Sequence, residues 1–180
     1  MRLMERFSKF GAARKGVAAL EFAILLPMMV FLLLGAVDLI DALETNRRAQ
    51  NVAASLADVV ARDTEISNSE VSGLWSAVSV LTYPGADTAM SERISSILVN
   101  AAGATANVVW SEGHNGSSPR AANSTVTLPA QMMTPSTGVI MSETTYHYQS
   151  PMSFLFAGTV DFTHTVYRRA RLVDPIPRVP

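Results

Sequence analysis

Glu21 is a carboxylate four residues after Val17, the first residue of an apolar run that continues to Val37, and Gly16 stands just ahead of that run behind Arg14 and Lys15. A charge inside a membrane-length segment costs about 2.5 to 3.5 kcal/mol on insertion scales, so it needs a partner. These residue types suit one piece of chemistry. Gly16 offers a protease an unobstructed backbone, and hydrolysis after it makes Val17 the new N-terminus. The new ammonium of one copy can then pair with the Glu21 carboxylate of a neighbour. That pairing offsets the desolvation of both charges and sets the axial stagger of two packed helices. A buried ion pair is a weak source of stability but a workable device for register.

The other polar residues suggest little chemistry. His114, His147 and His164 share no metal-ligand spacing, and the chain has no cysteine to join them. There is no Gly-x-Ser-x-Gly elbow and no phosphate-cradling glycine loop. Asp38 and Asp41 share a helix face at the end of the apolar run and read as a solvated boundary. His114, in a Gly/Ser loop, reads as solvated; His164, on an apolar strand face, reads as a core or edge histidine. Arg168, Arg169 and Arg171 read as a solvated edge. No catalytic site, cofactor or metal is expected, and the chain is not read as an enzyme.

These residues must be positioned by a membrane-length helix. Val17–Val37 is 21 residues, about 31 Å of helix, against about 30 Å of bilayer hydrocarbon. A cleaved secretory signal fits poorly, since its apolar core is roughly 7 to 15 residues and Phe22–Val37 alone is 16 residues without a charge. A plain signal anchor, with Glu21 reaching headgroup water, stays open but leaves Gly16 without a role. Residues 1–16 carry Arg2, Arg6, Lys9, Arg14 and Lys15 against Glu5, a net of +4, so a chain of net −1 leaves −5 for the rest. The positive-inside rule puts the N-terminus in the cytoplasm and the bulk outside. The acidic balance argues against nucleic acid as a partner. Without disulfides, stability must come from packing.

Beyond the run, Asp38 to Arg62 contains no Pro or Gly, and Leu39, Ile40, Leu43, Ala49, Val52, Ala53, Leu56, Val59 and Val60 recur at helical spacing. The helix is therefore expected to continue as a stalk, with Pro27 as a kink. Ser67 to Glu70 fits a capping box opening a second helix, with Val71, Leu74, Trp75, Val78 and Leu81 inward. A third helix is expected over Thr88–Ala102, with Met90, Ile94, Ile97 and Leu98 inward and Gly103 as its stop. Strands are expected at Thr105–Trp110, Asn123–Leu128, Val139–Tyr148 and Thr159–Leu172. The predicted class is α+β: a long N-terminal transmembrane helix extending into a stalk, then a small domain with two helices and an antiparallel sheet of about four strands. The expected divisions are a basic leader (1–16), the membrane helix (17–37), the stalk (38–62), the outer domain (63–172) and a proline-rich tail (173–180).

The segment from Gly16 to Asp41 resembles the N-terminus of the TadE-like pseudopilins of the tight-adherence (Tad, or Flp) pilus system. The matching positions are Gly16, Glu21, Phe22 and Pro27. Major Flp pilins are far shorter and usually carry Glu-Tyr where this chain has Glu21-Phe22, and TadG-like relatives with a metal-binding adhesion domain are much longer. The resemblance therefore implies a minor pseudopilin. It implies cleavage between Gly16 and Val17 by a prepilin peptidase, and register set at Glu21 and Phe22. It implies partnership with the inner membrane, other pilins and pseudopilins and the Tad secretion apparatus. The implied location is a bacterial inner membrane, single-pass, with the C-terminal domain periplasmic, or a surface pilus. Tyr146–Pro151 and Val166–Arg171 are loosely similar to the family's tail. Two other readings stay open. One is a membrane-anchored binding module, a pilus-tip adhesin or secretion-apparatus contact, using the loops at 112–119 and 131–138. The less favoured is a tethered periplasmic enzyme.

Overall fold

The computed structural model describes residues 16–85 and 87–180. The basic stretch read as the body of a leader, with Arg2, Arg6, Lys9, Arg14 and Lys15, lies outside the described residues.

Helix α1 is a single element of 44 residues, Val17–Val60, about 66 Å long. Its two halves meet different surroundings. Up to Leu34 no residue is buried. From Gly35 onward the helix buries Gly35, Asp38, Ala42, Thr45, Ala49, Val52, Leu56 and Val60, in steps of three or four. Those steps keep one stripe facing one way around the helix. The stripe is made mostly of small residues, so the helix lies close against its neighbours. The bulkier apolar residues that recur at helical spacing here point outward: Leu39, Ile40, Leu43 and Val59 are 47, 63, 50 and 55% exposed. The reason is steric, because large residues across the interface (Met90, Ile94, Ile140, Tyr148) already supply the volume. The half expected to be a free stalk is thus a wall of the folded domain.

Helix α2 spans Asn68–Thr82 and opens with the predicted capping box. The Ser67 N–H donates to Glu70 Oε2 at 2.6 Å, and the Glu70 N–H donates to Ser67 Oγ at 3.3 Å. Val71, Leu74 and Val78 face inward, whereas Leu81, also expected inward, is exposed.

Five strands follow: β1 (Met90–Val99), β2 (Ala106–His114), β3 (Thr125–Val126), β4 (Gly138–Gln149) and β5 (Thr159–Arg169). They form one antiparallel sheet in the order β3-β2-β1-β4-β5. The α+β class stands, but the helix expected over Thr88–Ala102 is strand β1, and the sheet has five strands. β1 is a central strand covered on both faces. Met90 and Ile94 join the core under the helices, while Ile97 and Val99 join a second cluster with Val108, Leu128, Val139 and Met141. An apolar set divided between two faces imitates helical spacing. The polar positions between them are satisfied in the sheet: Arg93 Nε donates to Glu143 Oε2 at 2.7 Å, and Ser96 Oγ donates to the Ile176 carbonyl at 3.1 Å. Gly103, expected to stop a helix, instead sits in the β1–β2 connection at φ +66°.

A register shift separates the Ser96–Trp110 pair from the Ile97–Val108 pair and leaves Val109 as an extra residue. Such a bulge re-aims the side chains that follow it. Val108 therefore packs in the second cluster and Trp110 in the core under the helices.

The proline-rich end is not a loose tail. Ile176 is fully buried, and its carbonyl accepts from Trp110 Nε1 at 2.8 Å. The Ile66 N–H donates to the Pro177 carbonyl at 3.0 Å, and the Val179 N–H donates to the Ile66 carbonyl at 2.8 Å. The segment has partners because it closes the core at the point where α1 leads into α2. Ile176→Ala should destabilise the chain by about 2–5 kcal/mol through loss of buried contacts and an unfilled cavity. Urea unfolding followed by the fluorescence of Trp75 and Trp110 reads the loss directly; a midpoint equal to the parent's would mean the segment contributes nothing.

Candidate functional site

Among the described residues nothing packs on the N-terminal end of α1. Gly16 has φ −84°, and a Cβ added there would meet none of their atoms within 4 Å. Among the described residues, therefore, neither backbone conformation nor space requires glycine at this position. Val17 and Phe22 are 53 and 59% exposed. Glu21 is exposed too, and among the described residues no cation or hydrogen-bond donor reaches it. Val17 and Glu21 are one turn apart, so they lie on the same face of the helix. Pro27 lies inside the helix, which continues on both sides of it. The most apolar 18-residue window of α1 has 0% of its residues buried, and α1 is the one helix among the described residues long and apolar enough to cross a membrane. By length and composition it is a single-pass anchor.

Where the apolar run ends, the structure differs from the expectation of solvated acids. Asp38 is 1% exposed. Its Oδ1 accepts from Ser150 Oγ at 2.7 Å, and its Oδ2 accepts from the Phe154 and Leu155 N–H groups at 2.9 and 3.0 Å. Asp38 therefore clasps the β4–β5 connection onto α1. The Leu155 N–H, then the Ser150 hydroxyl and the Phe154 N–H, hold this carboxyl below the usual aspartate range, against the opposing effect of burial. Beside it, Tyr148 Oη donates to Asp41 Oδ2 at 2.9 Å. Burial, followed by the Asp41 contact, pushes the Tyr148 hydroxyl up to about 12. Asp38 is buried, and Asp41 beside it half-buried, because Ser150 and the loop amides arrive at Asp38 from more than a hundred residues away and replace water as donors. No local spacing announces that meeting; the one sequence signal is the charge-free stretch from Tyr148 to Val160.

The histidines do not converge. His114 is the last residue of β2, not a loop residue; its Nδ1 lies 2.9 Å from Glu92 Oε2, and its ring stacks on Trp75 at 4.9 Å. The expected solvation fails because α2 lays Trp75 over the end of that strand. His147 Nδ1 lies 2.7 Å from Asp161 Oδ1, and His164 Nε2 lies 2.8 Å from Asn46 Oδ1. Among the described residues no three His, Asp or Glu side chains are placed to hold a metal. Arginines at and just beyond the end of β5 are also engaged. Arg169 Nη2 donates to the Gln131 carbonyl at 2.7 Å, and Arg171 pairs with Asp58 of α1. In the loop offered above for recognition, Met132 and Met133 pack against the second cluster instead of standing free.

Residues 16–58 match the family model described as TadE-like protein. The resemblance read from Gly16, Glu21, Phe22 and Pro27 is thereby borne out over that segment, which runs from the glycine into the buried stripe of α1. No curated protein and no solved structure matches the chain.

The Asp38 clasp has a definite pH signature. A carboxyl whose folded pKa is depressed contributes stability that is fully present above the unfolded value, about 3.9, and is lost as pH falls through the folded one. Hydrogen-exchange protection of the Phe154 and Leu155 amides should therefore hold from neutral pH to about pH 5 and fade only near and below about pH 4. In Asp38→Ala that protection should vanish at every pH while β1 and β4 stay protected. Unchanged protection in the variant would show that other contacts hold the loop.

Proposed function

We propose that this chain, TadE-like through its N-terminal segment, is a minor pseudopilin that takes part in assembly of a Tad pilus. The observation that carries the reading is a carboxylate without a partner among the described residues, on an uncovered apolar helix, one turn from Val17 and five residues after a glycine that no described neighbour requires. A lone charge of this kind is stable in lipid only with a partner, and a single chain offers none among its described residues. Assembly supplies it. A prepilin peptidase hydrolyses the Gly16–Val17 bond, the leader departs with Gly16 as its carboxylate end, and the Val17 amine takes up a proton. That ammonium pairs with Glu21 of an adjacent subunit, offsetting the two helices by four residues, about 6 Å. Leu20, Ile24 and Met28, which are 64, 66 and 62% exposed, supply apolar surface for neighbouring helices.

The charge asymmetry supports an orientation with the basic leader in the cytoplasm and the folded domain in the periplasm, anchored in the inner membrane. The partners of this reading are other pilins and pseudopilins, the peptidase and the Tad secretion apparatus. In this reading the role is structural, and His114, His147 and His164 serve packing and side-chain contacts with Glu92, Asp161 and Asn46.

Mass analysis of the protein from cells that make a prepilin peptidase should find Val17 as the N-terminal residue; material that still begins at Met1 would remove the processing step. Glu21→Ala should insert in the membrane as the parent does and abolish pili, scored by electron microscopy of the surface. Normal pili in that variant would end the register role.

A further inference from the structure

We propose that the β4–β5 loop, Pro151–Ala157, is a second membrane contact: it enters the leaflet nearest the folded domain, alongside α1, and takes lipid as its partner. This rests on Val17–Val37 crossing the bilayer.

Composition comes first. No charged residue occurs from Tyr148 to Val160, and the loop turns three large apolar groups outward, Met152, Phe154 and Leu155 at 52, 37 and 46% exposed, while Phe156 packs inward against Tyr148. Placement is the second point. The Phe154 ring packs edge-on against Phe31 with centroids 4.8 Å apart, and Leu155 covers Gly35, whose added Cβ would lie 3.6 Å from it. Phe31 is six residues short of Val37, so the loop reaches about 9 Å inward along the helix from the end of the apolar run. Interfacial segments bury their apolar faces to a similar depth, about 5–10 Å.

The third point is backbone satisfaction. Irregular backbone is costly in lipid unless its polar groups find partners. Here the Phe154 and Leu155 N–H groups both donate to Asp38, and the Ser153 N–H donates to Ser150 Oγ at 2.9 Å. The clasp therefore does two things at once: it fixes the loop to α1 and satisfies two of the backbone donors at the loop's tip, those of Phe154 and Leu155. Fourth, Leu26, Pro27, Val30, Phe31, Leu34 and Phe154 line an apolar notch of about 320 Å³. Most of that notch belongs to the membrane-length run, so acyl chains fill it. The apolar surface of the loop is continuous with that of the helix through the Phe31–Phe154 contact, which favours lipid over a protein partner as its cover.

The chain has no cysteine, so single replacements give unique labelling sites. The test uses the full chain in phosphatidylcholine vesicles containing lipids with nitroxide at a shallow or a deep acyl position, with iodide on both sides. An environment-sensitive fluorophore is placed at Met152→Cys, with Met28→Cys as the lipid reference and Val80→Cys, 75% exposed on α2, as the water reference. Leu155→Cys repeats the measurement independently. The expected result is strong quenching of the Met152 and Leu155 labels by shallow nitroxide, of the Met28 label by deep nitroxide, and of the Val80 label by iodide alone. Iodide quenching at Met152 and Leu155 with lipid quenching retained at Met28 overturns the loop contact and leaves the anchor standing. Shielding of the loop labels from both quenchers means a second protein subunit covers the loop, and also overturns it. Iodide quenching at Met28 overturns the membrane-crossing reading itself, and the loop proposal with it.

Discussion

One helix must serve two surroundings as a single element, with Pro27 removing just one donor from its ladder. α1 runs as a single element from Val17 to Val60. Up to Leu34 no residue is buried, and beyond it a stripe of Gly35, Ala42, Ala49, Ala53 and Ala57 lies tight against the sheet and α2. A continuous helix transmits orientation, because bending it costs hydrogen bonds. The domain is therefore not tethered by a flexible linker. It is built onto the anchor, so the orientation of the anchor and that of the domain are linked.

Asp38 marks the transition between the two halves. A carboxylate at that boundary would ordinarily stay hydrated. Here the hydration is replaced by the Ser150 hydroxyl and two loop amides, each within 3.0 Å. The same contacts bring Phe154 and Leu155 down onto Phe31 and Gly35. A polar clasp thus holds an apolar loop beside an apolar helix. Glu21, at the other end of the run, has no such donors within the described chain, and that contrast separates an acid used within the fold from one left for a partner.

The remainder of the domain is closed by segments distant in sequence. The last residues of the chain pack Ile176 between β1, β2 and the α1–α2 connection, and Arg178 Nε donates to Glu112 Oε1 at 3.0 Å. Glu143 on β4 receives both Arg93 and Arg120 on the face of the sheet away from the helices. Burial alone would raise the Glu143 carboxyl, but the hydrogen bonds from the two guanidiniums outweigh it and hold the carboxyl below its ordinary value. These contacts explain how a cysteine-free domain of this size buries both faces of its central strand.

Local physics determined much of this protein. The length of the apolar run, the position of Glu21 behind Gly16, the Ser67–Glu70 cap and the period-two face of Val160, Phe162, His164 and Val166 are written in short stretches, and each follows from a periodicity or a single backbone requirement. Tertiary structure decided what depends on who arrives from far away. β1 reads as a helix because its apolar residues are divided between two covered faces, and only the sheet reveals the second. Asp38 reads as a solvated acid because its donors lie more than a hundred residues downstream. The chain's end reads as a tail because prolines forbid a strand interior, yet they permit a fixed extended segment whose carbonyls accept bonds from Trp110 and Ile66. Periodicity reports which side of an element is apolar; it carries no information on what will cover the other side.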